Sequence, residues 1–201
     1  MSEHKENNPA APTPFTPIDQ ILFETRTVFI SGEVNSEMAL KVNRQLLALE
    51  KTNPAAPIVL WIDCPGGEVY SGFSIYDTVQ FIRPKVITVI SGLAASMGSV
   101  IALSAEKENR VCFPNAKLLI HQPLIGGALR GQASDLEIHA KDIIALKKKM
   151  HRLYAARTGG SEARFVELME RDRWVEPSEA IELGLISKII SKREELEALL
   201  K

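Results

Sequence analysis

Apolar and polar positions along the chain follow two alternating rhythms. Short runs rich in β-branched residues occur at 26–32, 57–63, 85–91, 110–113, 117–121 and 185–190. Between them lie segments whose apolar residues recur every three or four positions, at 36–52, 69–82, 134–157, 162–170 and 177–182. The first rhythm has the length and composition of strands, the second that of amphipathic helices. Their alternation predicts an α/β chain with a parallel sheet. Local signals set the boundaries. Asn35 or Ser36 caps a helix that turns Leu40, Leu46 and Leu47 to one face. Pro84 stops the next helix. Ser134, with Glu137 three residues on, is a capping box for the longest one. Gly92 reads as a turn that ends the third strand, after which small residues from Ala94 to Ala105 can start a helix. Pro114-Asn115 turns the chain between two strands. There is no internal repeat.

Composition narrows the classes. A chain of 201 residues can bury one sizeable core, so a single domain over 18–201 is expected. Residues 1–17 are polar and proline-rich, with too little apolar area to offset ordering entropy, and read as a flexible segment. The net charge is −1, with both signs interspersed, which excludes the basic stripe needed for nucleic acid. No apolar run is long enough to cross a bilayer or to serve as a secretion signal. Cys64 and Cys112 are far apart and lack metal-ligand spacing, which fits a reducing, cytoplasmic compartment and neither a metal site nor a disulfide framework.

Candidate chemistry gathers at strand ends. Gly92-Leu93-Ala94-Ala95-Ser96-Met97-Gly98 surrounds a serine with small residues, allowing a tight strand-to-helix turn that exposes its hydroxyl. Taken alone, such a run equally serves close helix packing. His121 ends an apolar strand and titrates where a general base is useful. His4 lies in the N-terminal segment, while His139 and His151 fall on the long helix, facing solvent or a neighbour, which leaves His121 as the best base. Asp172, between Arg171 and Arg173, is a carboxylate that can orient an imidazole, with Asp63 and Asp135 as rivals that spacing leaves open. The alternative for this segment is a solvated charge cluster. Pro65-Gly66-Gly67 lets backbone amides point into a site, so the Gly67 and Met97 N–H groups are candidate oxyanion donors. Cys64 beside them is a rival nucleophile, although a strand-end thiol in apolar surroundings is usually inert.

Several motifs in one order carry a resemblance. Pro65-Gly66-Gly67 with Ser74-Ile75-Tyr76-Asp77-Thr78, Ala94-Ala95-Ser96-Met97-Gly98, Ile120-His121-Gln122-Pro123, Gly131-Gln132-Ala133, Glu137-Ile138-His139-Ala140 and Arg171-Asp172-Arg173 together resemble the proteolytic subunits of ATP-dependent Clp proteases, from Val28 to Ile190. The resemblance implies a crotonase-like spiral of ββα units, with a strand and long helix at about 124–157 protruding as a handle. It implies Ser96 as nucleophile, His121 as base and then acid, Asp172 as the orienting carboxylate, and Gly67 and Met97 as oxyanion donors, without a metal or cofactor. It implies stacked heptameric rings forming a tetradecamer around the sites, and an AAA+ unfoldase of the ClpX, ClpA or ClpC type that consumes the ATP and feeds in unfolded polypeptides. Leu124, Gly126 and Gly127 match the strand that pairs with the peptide, and Leu47, Trp61, Phe81 and Phe113 match the outer pocket for unfoldase loops.

Three features depart from the family pattern. Residues 1–20 do not match its arginine-containing axial segment. The glycine-rich strand is about two residues longer, which would shift side-chain facing or force a bulge. Ala48, Val59 and Val111 stand where aromatics are frequent, removing apolar contact area at the pocket. These departures suggest a second role, that of a structural or regulatory paralogue in a mixed double ring. The scaffold also serves CoA-ester hydratases and isomerases, since fold alone does not set function.

Overall fold

The computed structural model describes residues 16–124 and 132–201. Among these, seven strands form one sheet: β1 (Thr27–Ser31), β2 (Ile58–Cys64), β3 (Val86–Ala95), β4 (Arg110–Cys112), β5 (Lys117–Ile120), β6 (Arg173–Val175) and β7 (Lys188–Ile189). The main path runs β1-β2-β3-β4-β7, and every pair along it is parallel. The α/β class expected from the alternation is present.

Helices cover the sheet: α1 (Pro17–Glu24), α2 (Ser36–Thr52), α3 (Val69–Phe81), α4 (Met97–Ala102), α5 (Ala133–Thr158), α6 (Glu162–Leu168), α7 (Pro177–Glu182) and α8 (Arg193–Leu199). Asn35 caps α2, its side chain accepting from the Met38 N–H. The buried face of α2 is Ala39, Val42, Leu46 and Leu49. The expected face is therefore corrected: Leu46 is buried, but Leu40 and Leu47 sit about 100° round the helix from Ala39 and Leu46 and face out. The capping box at Ser134 is also corrected. The long helix begins at Ala133 after Gln132, and no side chain caps it.

Strand β2 explains why its sequence is apolar without alternation. Ile58, Leu60 and Ile62 enter the main core, while Val59 packs on the opposite face with Ile87, Val89, Val111, Ile190 and Leu196. A parallel strand covered on both sides needs apolar residues on both.

The most consequential difference from the sequence reading is at Gly92. The chain does not turn there: β3 continues to Ala95, and only Met97–Ala102 is helical. The first part of β3 pairs with β4 from Thr88 to Ile90, and the last part pairs with β5 from Leu93 to Ala95. Small residues with poor strand propensity are held extended because a partner strand takes up their backbone groups. Strand β5 in turn pairs antiparallel with β6, so the sheet forks at β3.

Candidate active site

The fork brings three chain segments to one place by register. In the parallel β3–β5 pair, Ala95 faces Leu119, and the Ser96 N–H donates to the Leu119 carbonyl at 2.9 Å. In the antiparallel β5–β6 pair, Ile120 faces Arg173. One further step along each ladder sets Ser96 beside Ile120 and His121 opposite Asp172. Ser96 leaves the end of β3, His121 the end of β5 and Asp172 the start of β6, on three adjacent strands.

Ser96 occupies a sharp turn, with φ 53° and ψ −120°. With Arg26 it is one of two non-glycine residues at positive φ among the described residues. Such a conformation costs about 1–3 kcal/mol and persists only where its surroundings over-determine it. Here the strand fixes its N–H and helix α4 fixes its carbonyl, which accepts from the Ser99 and Val100 amides. Gly66 supplies the remaining constraint. At φ 103° it runs against the elbow so closely that a Cβ there would lie 2.6 Å from the Ser96 Cβ and 2.9 Å from the Ala95 carbonyl oxygen. Gly67, at φ 141°, bridges to Val34 as an extension of the sheet, where a Cβ would lie 2.2 Å from the Val34 carbonyl oxygen. Of the two glycines that the sequence singled out, Gly66 is the one packed against the serine turn.

His121 is buried, whereas the Asp172 side chain is 65% exposed. The His121 Nδ1 lies 3.5 Å from Asp172 Oδ1, close enough for charge attraction, yet it makes no hydrogen bond. The segment carrying Asp172 is held by Gln122, whose backbone N–H donates to the Met169 carbonyl and whose side-chain amide donates to the Glu170 carbonyl, each at 2.7 Å. Lys147 on α5 then pairs with the Glu170 carboxylate at 2.8 Å, and this hydrogen bond holds that carboxyl below its usual range. His121, Gln122, Leu124, Glu170, Arg171 and Asp172 line an open cleft of about 360 Å³, which Ser96 does not line.

A family model for the Clp protease matches residues 14–193. The chain is 39% identical, over 98% of its own length and 97% of the relative's, to the ATP-dependent Clp protease proteolytic subunit 1 of Protochlamydia amoebophila (strain UWE25). The chain belongs to the Clp protease family. It is thus a protease subunit, of a family whose chemistry is that of serine peptidases.

The other sequence-derived candidates of this Clp protease subunit separate clearly. Asp63 accepts a hydrogen bond from the Leu93 N–H and is committed to bracing β3, while Asp135 lies on the exposed first turn of α5. Cys64 is buried, and desolvation pushes its thiol up, against the thiolate that a nucleophile requires. His139 is exposed, but His151 corrects the expectation for the long helix: it is buried, and desolvation lowers its pKa. Leu124 is exposed beside the cleft, while Gly126 and Gly127, with the longer glycine-rich strand, lie outside the described residues. On the far face of the sheet Trp61 meets Phe113 edge-on at 5.3 Å and Phe29 at 6.2 Å. Leu47 and Phe81 are exposed at 46% and 78%. Phe29 escaped the sequence reading because only strand register makes it the neighbour of Trp61.

Proposed function

We propose that the chain is a serine endopeptidase subunit of a compartmentalised, ATP-dependent protease. The single observation that supports this most is the register that sets Ser96, His121 and Asp172 at the ends of three adjacent strands. In the reaction, the Ser96 Oγ attacks the scissile carbonyl carbon while His121 Nε2 takes its proton. The Gly67 and Met97 N–H groups hold the resulting oxyanion, and Asp172 stabilises the imidazolium. His121 then gives the proton to the departing amine, leaving an ester on Ser96. Water, deprotonated by His121, attacks that ester, releasing the carboxylate and restoring the serine. No cofactor takes part in this chain.

The substrates in this reading are unfolded polypeptides that pair through backbone with the segment carrying Leu124, Gly126 and Gly127, which gives weak sequence preference. The subunits stack as two heptameric rings. An AAA+ unfoldase docks at Leu47, Trp61, Phe81 and Phe113 and consumes the ATP, all within the cytoplasm. Among the described residues no helix is long and apolar enough to cross a membrane. Replacing Ser96 by Ala tests the reading: peptide cleavage and fluorophosphonate labelling are both lost, and retained turnover refutes it.

One observation favours a second reading, a paralogous subunit with little activity alone. The His121–Asp172 contact is open, with a buried Nδ1 lacking a partner and a carboxylate largely in solvent. Native mass and peptide cleavage, measured together, separate the two readings. An inactive small assembly that gains both size and turnover on mixing with a second Clp subunit is the result for the paralogue, and an active tetradecamer of this chain alone is the result against it.

A further inference from the structure

Tyr154 lies on α5, far from the serine turn in sequence, and is fully buried, with its ring 5.5 Å from that of Phe165. Its hydroxyl is 2.5 Å from the Ser99 Oγ, and the Ser99 Oγ is 2.7 Å from the Ser96 carbonyl oxygen. Each hydroxyl carries one hydrogen, and a carbonyl only accepts. Ser99 therefore donates to Ser96, and Tyr154 donates to Ser99. Burial pushes the phenol pKa up, so Tyr154 remains a donor throughout the working range.

The carbonyl at the end of this relay belongs to the peptide unit joining Ser96 to Met97. That unit is planar and trans, so its C=O and N–H point in opposite directions. Holding the oxygen toward Ser99 aims the Met97 N–H the other way. Met97 is the first residue of α4, a position whose amide has no intrahelical acceptor. The bonds from the Ser99 and Val100 amides to the same oxygen are those that any helix start makes. The hydroxyl bond is additional, and its donor is locked from a different helix.

We propose that Tyr154, acting through Ser99, is a positioning residue that sets the plane of the Ser96–Met97 peptide and so the aim of the Met97 amide at the oxyanion. This rests on the reading of Ser96 as nucleophile and of the Met97 N–H as oxyanion donor. An oxyanion amide matters only when charge develops on the substrate oxygen, so its misalignment lowers kcat and leaves ground-state binding alone.

The test compares Tyr154→Phe and Ser99→Ala with the parent chain in the assembled, active particle. Three quantities are read: kcat and KM on a fluorogenic peptide, the rate of fluorophosphonate labelling of Ser96, and inhibition by a peptide boronic acid that forms a tetrahedral adduct. Each variant is expected to lose roughly tenfold in kcat and in labelling rate, and to bind the boronic acid weaker by the same factor. That is below the ~10²–10³ typical of losing an oxyanion donor outright, because the amide remains present. KM stays unchanged, and the double variant is no slower than Ser99→Ala, since both changes break one relay. A simple packing role would instead lower thermal stability without separating kcat from KM. Labelling of either assembled variant at the parental rate overturns the inference, as do losses that multiply in the double variant. If Tyr154→Phe does not assemble, Ser99→Ala, which keeps the phenol ring in place, decides. A parent chain that cleaves peptide without labelling at Ser96 removes the nucleophile reading and this inference together. A labelled parent with unaffected variants removes only the inference.

Discussion

Replacing Gly66 by Ala probes the close approach of the glycine pair to the Ser96 turn, and a matched glycine separates its two costs. The added methyl would meet the Ser96 Cβ at 2.6 Å, the Ala95 carbonyl oxygen at 2.9 Å and the Met97 nitrogen at 3.2 Å, all below ordinary van der Waals contact. None of these atoms belongs to a flexible side-chain end. The φ of 103° adds a second penalty for any residue with a Cβ. Gly32 has a comparable φ of 88° but open space within 4 Å, so Gly32→Ala carries the backbone penalty alone. That penalty is about 1–2 kcal/mol, and overpacking adds about 1–3 kcal/mol. Gly66→Ala is therefore expected to destabilise by about 2–5 kcal/mol. For a chain of this size each kcal/mol lowers the melting temperature by roughly 2–4 °C, so the fall is about 4–20 °C for Gly66→Ala and about 2–8 °C for Gly32→Ala. Activity separates the two further. Relief of the clash displaces the serine turn, and a shift approaching 1 Å costs on the order of 10²-fold in turnover, whereas Gly32→Ala leaves kcat unchanged. Scanning calorimetry with peptide cleavage on both variants checks this. Equal melting temperatures and equal kcat in the two would show that the contact at Ser96 carries no energy, and would refute the reasoning.

Three more outcomes follow from the structure. Cys64 and Cys112 are buried and desolvation raises both thiols, that of Cys112 to about 11, so neither reacts with a maleimide at neutral pH until the chain unfolds; rapid native labelling would contradict this. The Glu195 carboxyl is lowered from 4.5 to about 2, chiefly by the Ser191 N–H and then by Lys188 and the Lys192 N–H. Because the folded pKa is the lower one, its stabilisation is complete above about 4.5 and disappears as pH falls through about 2. Glu195→Gln should therefore lower the urea midpoint at pH 7 and lose part of the wild-type decline across that window, and a parallel decline in both proteins would argue against the assignment. Phe81 is largely exposed, so Phe81→Ala should leave the melting temperature and small-peptide cleavage intact; under the proposed docking of an unfoldase at this residue, unfoldase-driven degradation drops at least severalfold, as expected for an aromatic anchor that an interface buries. Undiminished degradation would remove Phe81 from the docking surface.

Much of this protein was legible in its one-dimensional pattern. The α/β class, the strand at Ile58–Cys64, the helices at Ser36–Thr52 and Val69–Phe81, and the strands before and after Pro114-Asn115 follow from periodicity and local stop signals, which act over a few residues. Ser96, His121 and Asp172 were visible as residue types at strand ends or turns, and Pro65-Gly66-Gly67 as a break that only glycine permits. What sequence could not specify depends on partners distant along the chain. Gly92 to Ala95 reads as turn and helix because small residues have no intrinsic reason to be extended, and pairing with Lys117–Leu119 overrides that preference. The strand at Arg173–Val175 is too short to announce itself, yet its antiparallel register sets Asp172 opposite His121. Likewise His151 is buried, Lys147 meets Glu170 and Tyr154 meets Ser99 because α5 packs against the body of the domain, a contact that no spacing encodes. Local propensity is written residue by residue, but register and burial are properties of pairs, and the site is built entirely from such pairs.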